Sequence, residues 1–377
     1  MTTPGRLYVT RRKSILIYRL GSLGDTVVAL PCLHLLARVF ADSERIVLTN
    51  LPVHAKAPAV SSVLGKSGLI HKYMSYPIAT RNLFELAKLC WKVRQLSIET
   101  MVYLTPSRGE AAIRRDELFF RLCGIREFIG IPRGELATHH YDPVEDRYEA
   151  EASRLARCLA AIGDARPNDP ASWDLLLNEQ EYASATSALR PLDRAPFLAI
   201  GIASKEDIKD WGIENWKALM PQLRRHFPEH ALVLIGAKED RSASDEVAAR
   251  WEGRSLNVSG NLSPRESAAV IQRADLFLGP DSGPMHLAAS VGTPCVSIFA
   301  GNDRPGIWFP FGNTNEVIYH RHRKDGFDHD PNACSAEKKK CILSISVEEV
   351  AAAAVRAGKR KRSAASGTID SLLIESP

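Results

Sequence analysis

Short apolar runs and longer stretches of helical periodicity take turns along the chain. Ser14–Arg19 is apolar, Asp25–Phe40 carries its apolar residues on one helical face, and Arg45–Asn50 is apolar again, which opens a strand–helix–strand unit. Further apolar runs at Gly68–Tyr73 and Thr100–Leu104 are separated by the helical stretch Asn82–Leu96, and a helix over Glu110–Cys123 is stopped by Gly124. Strands that read as nearly continuous apolar runs between helices predict a parallel sheet covered on both faces.

Between Gly163 and Pro196 the alternation lapses, and two proline-bearing segments, Asp164–Pro170 and Arg190–Pro196, flank a polar helical patch. Such a stretch suits a connection between domains. A second alternation follows, with strands at Phe197–Ile202, Ala231–Gly236, Leu276–Gly279 and Cys295–Phe299 and helices at Glu214–His226, Ser242–Trp251 and Ser282–Val291. The last helix, Val347–Ala357, runs into a basic tail. The expected division is a first α/β domain over 1–190, a second over 191–355 and a flexible tail over 356–377, both domains doubly wound and Rossmann-like. A length of 377 residues agrees with two domains of ~150 to 200.

Composition adds little to the fold and more to the setting. Apolar residues at 45% and charged residues at 25% describe a water-soluble globular chain. No apolar run approaches the ~20 residues that span a bilayer, and residues 1–13 lack the apolar centre of a secretory leader, so a cytoplasmic protein is expected. Seven scattered cysteines, an odd number, argue against a disulfide framework. The net charge of +5 is uneven, because nine basic and two acidic residues lie within 1–13 and 356–377 and leave the body at −2. The clusters Arg6, Arg11, Arg12, Lys13 and Arg356, Lys359, Arg360, Lys361, Arg362 suit an anionic membrane surface, or are solvated tails without a partner. No nucleic-acid partner is expected.

Chemistry concentrates where strands hand over to helices. In Leu276–Pro294 an apolar strand turns through Asp281-Ser282-Gly283 into a short helix. Asp281 or Ser282 can cap it, Pro284 fits its first turn, and Gly283 lets a ligand approach the backbone. The free N–H groups and the helix dipole make an anion site at the carboxyl end of a parallel strand, and His286, one turn on, reaches the same anion. Taken alone, the segment fits a capped helix whose Asp281 and His286 only satisfy the backbone. At the end of the first strand, Arg19-Leu20-Gly21-Ser22-Leu23-Gly24-Asp25 places Asp25 at a helix start, as a cleft-facing acid or an N-cap. It is not the dinucleotide fingerprint, and no phosphate-binding G-x-x-x-x-G-K-[ST] occurs. The loop Gly201–Trp211 gathers Ser204, Lys205 and Lys209, which are phosphate ligands or merely solvated charges.

Together these segments resemble glycosyltransferase family 9, the bacterial lipopolysaccharide heptosyltransferases, from about Ser14 to Val355. The resemblance is most specific at Ile15–Asp25 and Asp281–Ala289, with weaker likeness at Lys209-Asp210-Trp211, Glu214-Asn215-Trp216 and Gly236–Asp240. It implies a GT-B fold, two Rossmann-like domains facing a central cleft, and an inverting, metal-independent transfer from a nucleotide sugar, ADP-heptose in the main, to a lipopolysaccharide core or related glycolipid. In that scheme Asp25 is the general base, and Lys209, Ser204, His286 and the backbone around Ser282, Gly283 and Pro284 stabilise the departing diphosphate. Asp240, with Glu239 in reserve, accepts from ribose hydroxyls, and Asp281 from sugar hydroxyls. Gly24, Arg108 and Arg114, joined by Arg115, belong to the acceptor side, although a solvent-facing basic helix explains these arginines equally well. No cofactor is implied, and the place of action is the inner face of the inner membrane.

His320, His322, His329, Cys334 and Cys341 tempt a metal reading, but their spacing fits no standard zinc pattern, and Asp328-His329-Asp330 falls in a late loop. Two rival functions share the scaffold: a nucleotide-sugar epimerase, which needs no acceptor, and a non-catalytic sugar-nucleotide-binding partner in envelope assembly.

Overall fold

The computed structural model describes residues 13–51, 59–78, 80, 82–301, 304–320, 323–324, 327–328 and 335–372. The first half is built on β1 (Ser14–Tyr18), β2 (Glu44–Leu51), β3 (Lys72–Pro77), β4 (Thr100–Tyr103) and β5 (Glu127–Ile129), a parallel sheet in the order β3-β2-β1-β4-β5. In register, β1 pairs Ser14 with Glu44 on one side and Ile15 with Thr100 on the other. Its residues alternate between two cores, as a strand must. Ile15 and Ile17 join the core that the two halves share, while Leu16 and Tyr18 meet Leu89, Val93, Ile113 and Phe120.

The helices of this half are α1 (Leu23–Val28), α2 (Leu30–Val39), α3 (Val60–Leu64), α4 (Leu83–Gln95) and α5 (Glu110–Leu122). The single helix expected over Asp25–Phe40 is two, broken at Ala29. Pro31 has no N–H to give to the turn before it, so α2 starts afresh there. A hairpin of β6 (Tyr141–Asp142) and β7 (Arg147–Tyr148) precedes α6 (Glu151–Leu159) and α7 (Glu179–Leu189).

The second sheet comprises β8 (Phe197–Ile200), β9 (Ala231–Leu234), β10 (Ser255–Asn257), β11 (Leu276–Pro280), β12 (Cys295–Phe299) and β13 (Glu316–Tyr319), in the order β10-β9-β8-β11-β12-β13. Its helices are α8 (Ile213–His226), α9 (Arg241–Ala248), α10 (Pro264–Ile271), α11 (Gly283–Ser290), α12 (Ser335–Leu343) and α13 (Val347–Leu372). In both sheets the strand order reverses beside the first strand of the half, the doubly wound arrangement expected. The last helix does not stop at Ala357 but continues to Leu372.

One continuous core joins the halves: Leu23, Val27, Val60 and Val63 of the first pack with Ala268, Met285 and Leu287 of the second. Buried Arg265 of α10 ties them further. Its Nη1 donates to the carbonyls of Val63, Leu64 and Leu175 at 3.1, 3.2 and 2.8 Å, its Nη2 to that of Leu176 at 2.8 Å, and its Nε to Glu181 at 2.5 Å. Helix α7, which the sequence reading put in the first domain, packs on α10 of the second. In the reverse direction, the segment 304–311 crosses onto the first half: its Pro305 and Ile307 carbonyls accept from the N–H groups of Tyr148 and Glu151 at 2.7 and 2.9 Å, and Phe311 stacks on Trp173 at 4.4 Å.

Candidate active site

The carboxyl ends of β1, β8 and β11 border one cavity of about 460 Å³. Open α/β sheets hold ligands at such reversal points. Ser22, Gly24 and Asp25 line it from the first half; the loop after β8 and the start of α11 line it from the second.

On the first side, Gly21 takes φ +119°, a conformation side chains disfavour, and a Cβ there would stand 2.5 Å from Asp25 Cγ. The same glycine thus turns the chain and makes room for the carboxylate. Ser22, not Asp25, occupies the N-cap position of α1; Asp25 reaches back from the third helical position, its Oδ2 accepting from the Ser22 N–H at 2.6 Å. Among the described residues Oδ1 has no hydrogen bond, so the capping role uses only one of the two oxygens. Fully buried Arg19 supports the turn, donating to the Leu104 carbonyl at 3.0 Å and to the Asp25 carbonyl. Burial lowers its pKa, against the charges of Asp25 and Glu151.

On the second side, β11 delivers Asp281, 7% exposed, whose Oδ2 accepts from Lys209 Nζ at 2.7 Å and whose Oδ1 lies 3.8 Å from His286 Nε2. Ser282 is the N-cap of α11, yet its hydroxyl makes no cap bond and, among the described residues, is buried without a hydrogen-bond partner. An orphaned hydroxyl beside the free N–H groups of a helix start is what a site for an anion presents. His286, 4% exposed, meets Trp308 edge to face at 6.4 Å. Burial depresses its pKa to about 4, Asp25 opposing and Lys209 adding to the fall. It is therefore neutral at pH 7 and offers an anion an N–H rather than a charge.

The two helix starts abut through glycines. A Cβ on Gly24 would come within 2.7 Å of His286 Cδ2, and one on Gly283 within 2.8 Å of Leu23 Cδ2. Gly24 thus serves the contact between halves as well as the cavity wall.

The remaining expected residues fall in different places. Ser204 lines the cavity, accepting from the Glu206 N–H at 3.4 Å, and beside it the Lys205 ammonium is pulled down in pKa by desolvation, with Asp25 opposing. Asp240 spends one carboxylate oxygen on the Ala237 N–H at 2.8 Å, whereas exposed Glu239, also on the wall, has no hydrogen bond among the described residues. Arg108 and Arg114 do not line the cavity: Arg108 is held by Asp116 and by Tyr103 Oη at 3.0 Å, and Arg114 by Glu110 at 2.9 Å. His322, His329 and Cys334 lie outside the described residues; His320 bonds Ser344 and Glu349, and Cys341 is buried. No group of three or more metal-ligating side chains occurs among the described residues. Trp308, which arrives on the crossing segment, and Leu262, Pro264 and Ser267 of the α10 start are wall residues that the sequence did not single out.

Residues 149–337 match the model of glycosyltransferase family 9 (heptosyltransferase). Over 190 residues the chain is 26% identical to the lipopolysaccharide core heptosyltransferase OpsX of Haemophilus influenzae, a match covering 49% of this chain and 54% of that protein. Over 145 residues it is 28% identical to a lipopolysaccharide heptosyltransferase 3 of Escherichia coli, covering 38% and 40%. The chain thus spans about half the length of the curated relatives it matches. Among solved structures it superposes on a family 9 glycosyl transferase from Veillonella parvula with a TM-score of 0.69 at 17% identity, covering 93% and 98% of the two chains. E. coli ADP-heptose lipopolysaccharide heptosyltransferase II gives 0.64 at 16%, covering 93% and 99%. The iron-containing dodecameric glycosyltransferase TibC from enterotoxigenic E. coli gives 0.50 at 13%, covering 93% and 77%. These likenesses establish the GT-B heptosyltransferase fold expected from the sequence.

Proposed function

The chain belongs to glycosyltransferase family 9, and on that footing we propose that it moves a heptose, with inversion, from ADP-heptose to a lipopolysaccharide core or related glycolipid at the cytoplasmic face of the inner membrane. Its matched relatives carry the name of lipopolysaccharide heptosyltransferase, and E. coli structures of the same fold hold ADP or an ADP-heptose analogue. One observation carries the reading: Asp25 of one half and the start of α11 in the other line a single cavity.

In this scheme an acceptor hydroxyl gives its proton to Asp25 as its oxygen bonds to the anomeric carbon, and the bond from that carbon to the diphosphate oxygen breaks on the opposite face. Attack and departure on opposite faces invert the centre. Negative charge gathers on the diphosphate, where Lys209, the Ser282 hydroxyl, the first N–H groups of α11 and neutral His286 receive it, with Ser204 and Lys205 at the rim; these groups supply the stabilisation without a metal. Asp281 orients Lys209 and accepts from sugar hydroxyls. For the ribose, Asp240 remains a candidate, and the uncommitted carboxylate of Glu239 favours the latter. Arg108 and Arg114 are proposed to exchange their own carboxylates for acceptor phosphates. The test is transfer from ADP-heptose to heptose-free core lipopolysaccharide, read by mass spectrometry, with a donor-only control. Accumulation of an epimerised donor without any transfer would replace this reading with an epimerase.

A further inference from the structure

Far from the cavity, the outer face of the first half carries large apolar side chains in water. Helices α4 and α5 bury Leu89, Val93, Ile113 and Phe120 against the sheet, and what they turn outward mixes large apolar residues with mostly basic ones. On α4 the residues Phe84, Lys88, Trp91 and Gln95 follow at intervals of four, three and four and so share one face, all exposed. Phe84 is 86% and Trp91 61% accessible. Leu118 and Leu122 do the same on α5, with Leu118 at 64%. Arg94 donates to the Leu122 carbonyl at 3.1 and 2.7 Å and so fixes the two helices side by side.

We propose that this α4–α5 face docks on an anionic lipid bilayer. Two features select that occupant. Exposed apolar and basic residues alternate along both helices, Phe84 and Trp91 with Lys88 and Lys92 and Leu118 and Leu122 with Arg121, which suits aromatic and leucine side chains entering a lipid interface. The charge is complementary as well: Lys88 and Lys92 have no ion pair among the described residues and flank Trp91, whereas Arg114 and Arg121 on α5 are partly neutralised by Glu110 and Glu117. The basic end of the last helix is a different place, where Arg356 and Arg360 pair with Glu316. Phe84, in the first turn of α4 after the carboxyl end of β3, is the part of the face nearest the cleft edge, and docking there would serve a membrane-borne acceptor. This use rests on the glycolipid-acceptor reading, but the docking itself does not.

The experiment is co-sedimentation of the full chain with phosphatidylcholine vesicles and with vesicles containing phosphatidylglycerol. The wild type should bind the anionic vesicles, and Lys88→Glu/Lys92→Glu should bind at least tenfold more weakly, since each lysine near such a surface is worth about fivefold. Phe84→Ser/Trp91→Ser should lose binding to a similar degree while keeping its melting temperature and its turnover on a water-soluble acceptor. Equal binding by wild type and both variants overturns the proposal. So does a wild type that sediments only with itself and becomes monomeric in the Phe84→Ser/Trp91→Ser variant, which would make the face a contact between copies. Vesicle binding is read without turnover, so failure here and failure of the transferase reading are told apart.

Discussion

Acid should weaken this fold through one imidazole. His286 has its pKa depressed from 6.5 to about 4 by burial at the contact of α1 with α11. Above pH 6.5 folded and unfolded chains both hold it neutral, and no penalty arises. As pH falls below 6.5 the unfolded chain takes up a proton that the folded chain refuses until about pH 4, so stability drains away across that window. The interval corresponds to about 3 kcal/mol in full and to about 2 kcal/mol by about pH 5. His286→Gln keeps a hydrogen-bond donor but does not titrate. Urea unfolding of both proteins at about pH 7.5 and about pH 5 isolates the term, because the other carboxylates and histidines cancel between them. The wild type should lose about 2 kcal/mol more than His286→Gln on acidification. Equal losses would refute the reasoning and mean that the imidazole is solvated or already paired.

Asp25→Asn keeps an oxygen for the Ser22 N–H and should preserve both the fold and ADP binding by calorimetry, while transfer falls by roughly 10² to 10⁴. Gly24→Ala forces a methyl to 2.7 Å from His286 Cδ2 and should cost about 1 to 3 kcal/mol in denaturant melts. Lys209→Met strips a buried carboxylate of its ammonium and should destabilise the chain by roughly 3 kcal/mol; adding Asp281→Asn should recover most of that stability but not donor affinity.

What the chain showed in advance follows from burial. β8, β9, β11 and β12 are buried at every position, so they read as apolar runs, interrupted only by Ser297 in β12 and by the Gly279-Pro280 end of β11. The edge strand β3 has only exposed or half-buried residues, and the apolar Leu69 and Ile70 just before it drew the expected strand several residues early. Short β5, β10 and β13 hide for the same reason. Asp25 and Asp281–His286 were legible because glycine and a capping residue at a strand end are local signals. Trp308 and Arg265 were not, since their roles arise from partners far along the chain: Arg265 bonds Val63, some 202 positions away. The free hydroxyl of Ser282 and the neutrality of His286 needed coordinates, because neither residue type reveals its own desolvation.

Arg265 also constrains how the molecule can move. Its guanidinium holds carbonyls of the first half, of the connection and a carboxylate of α7 in a dry setting, where breaking several charged bonds at once is prohibitive. Sliding of one half along the other would have to break these bonds together, so Arg265, with the packed starts of α1 and α11, keeps the Asp25 and Asp281 walls of the cleft in register.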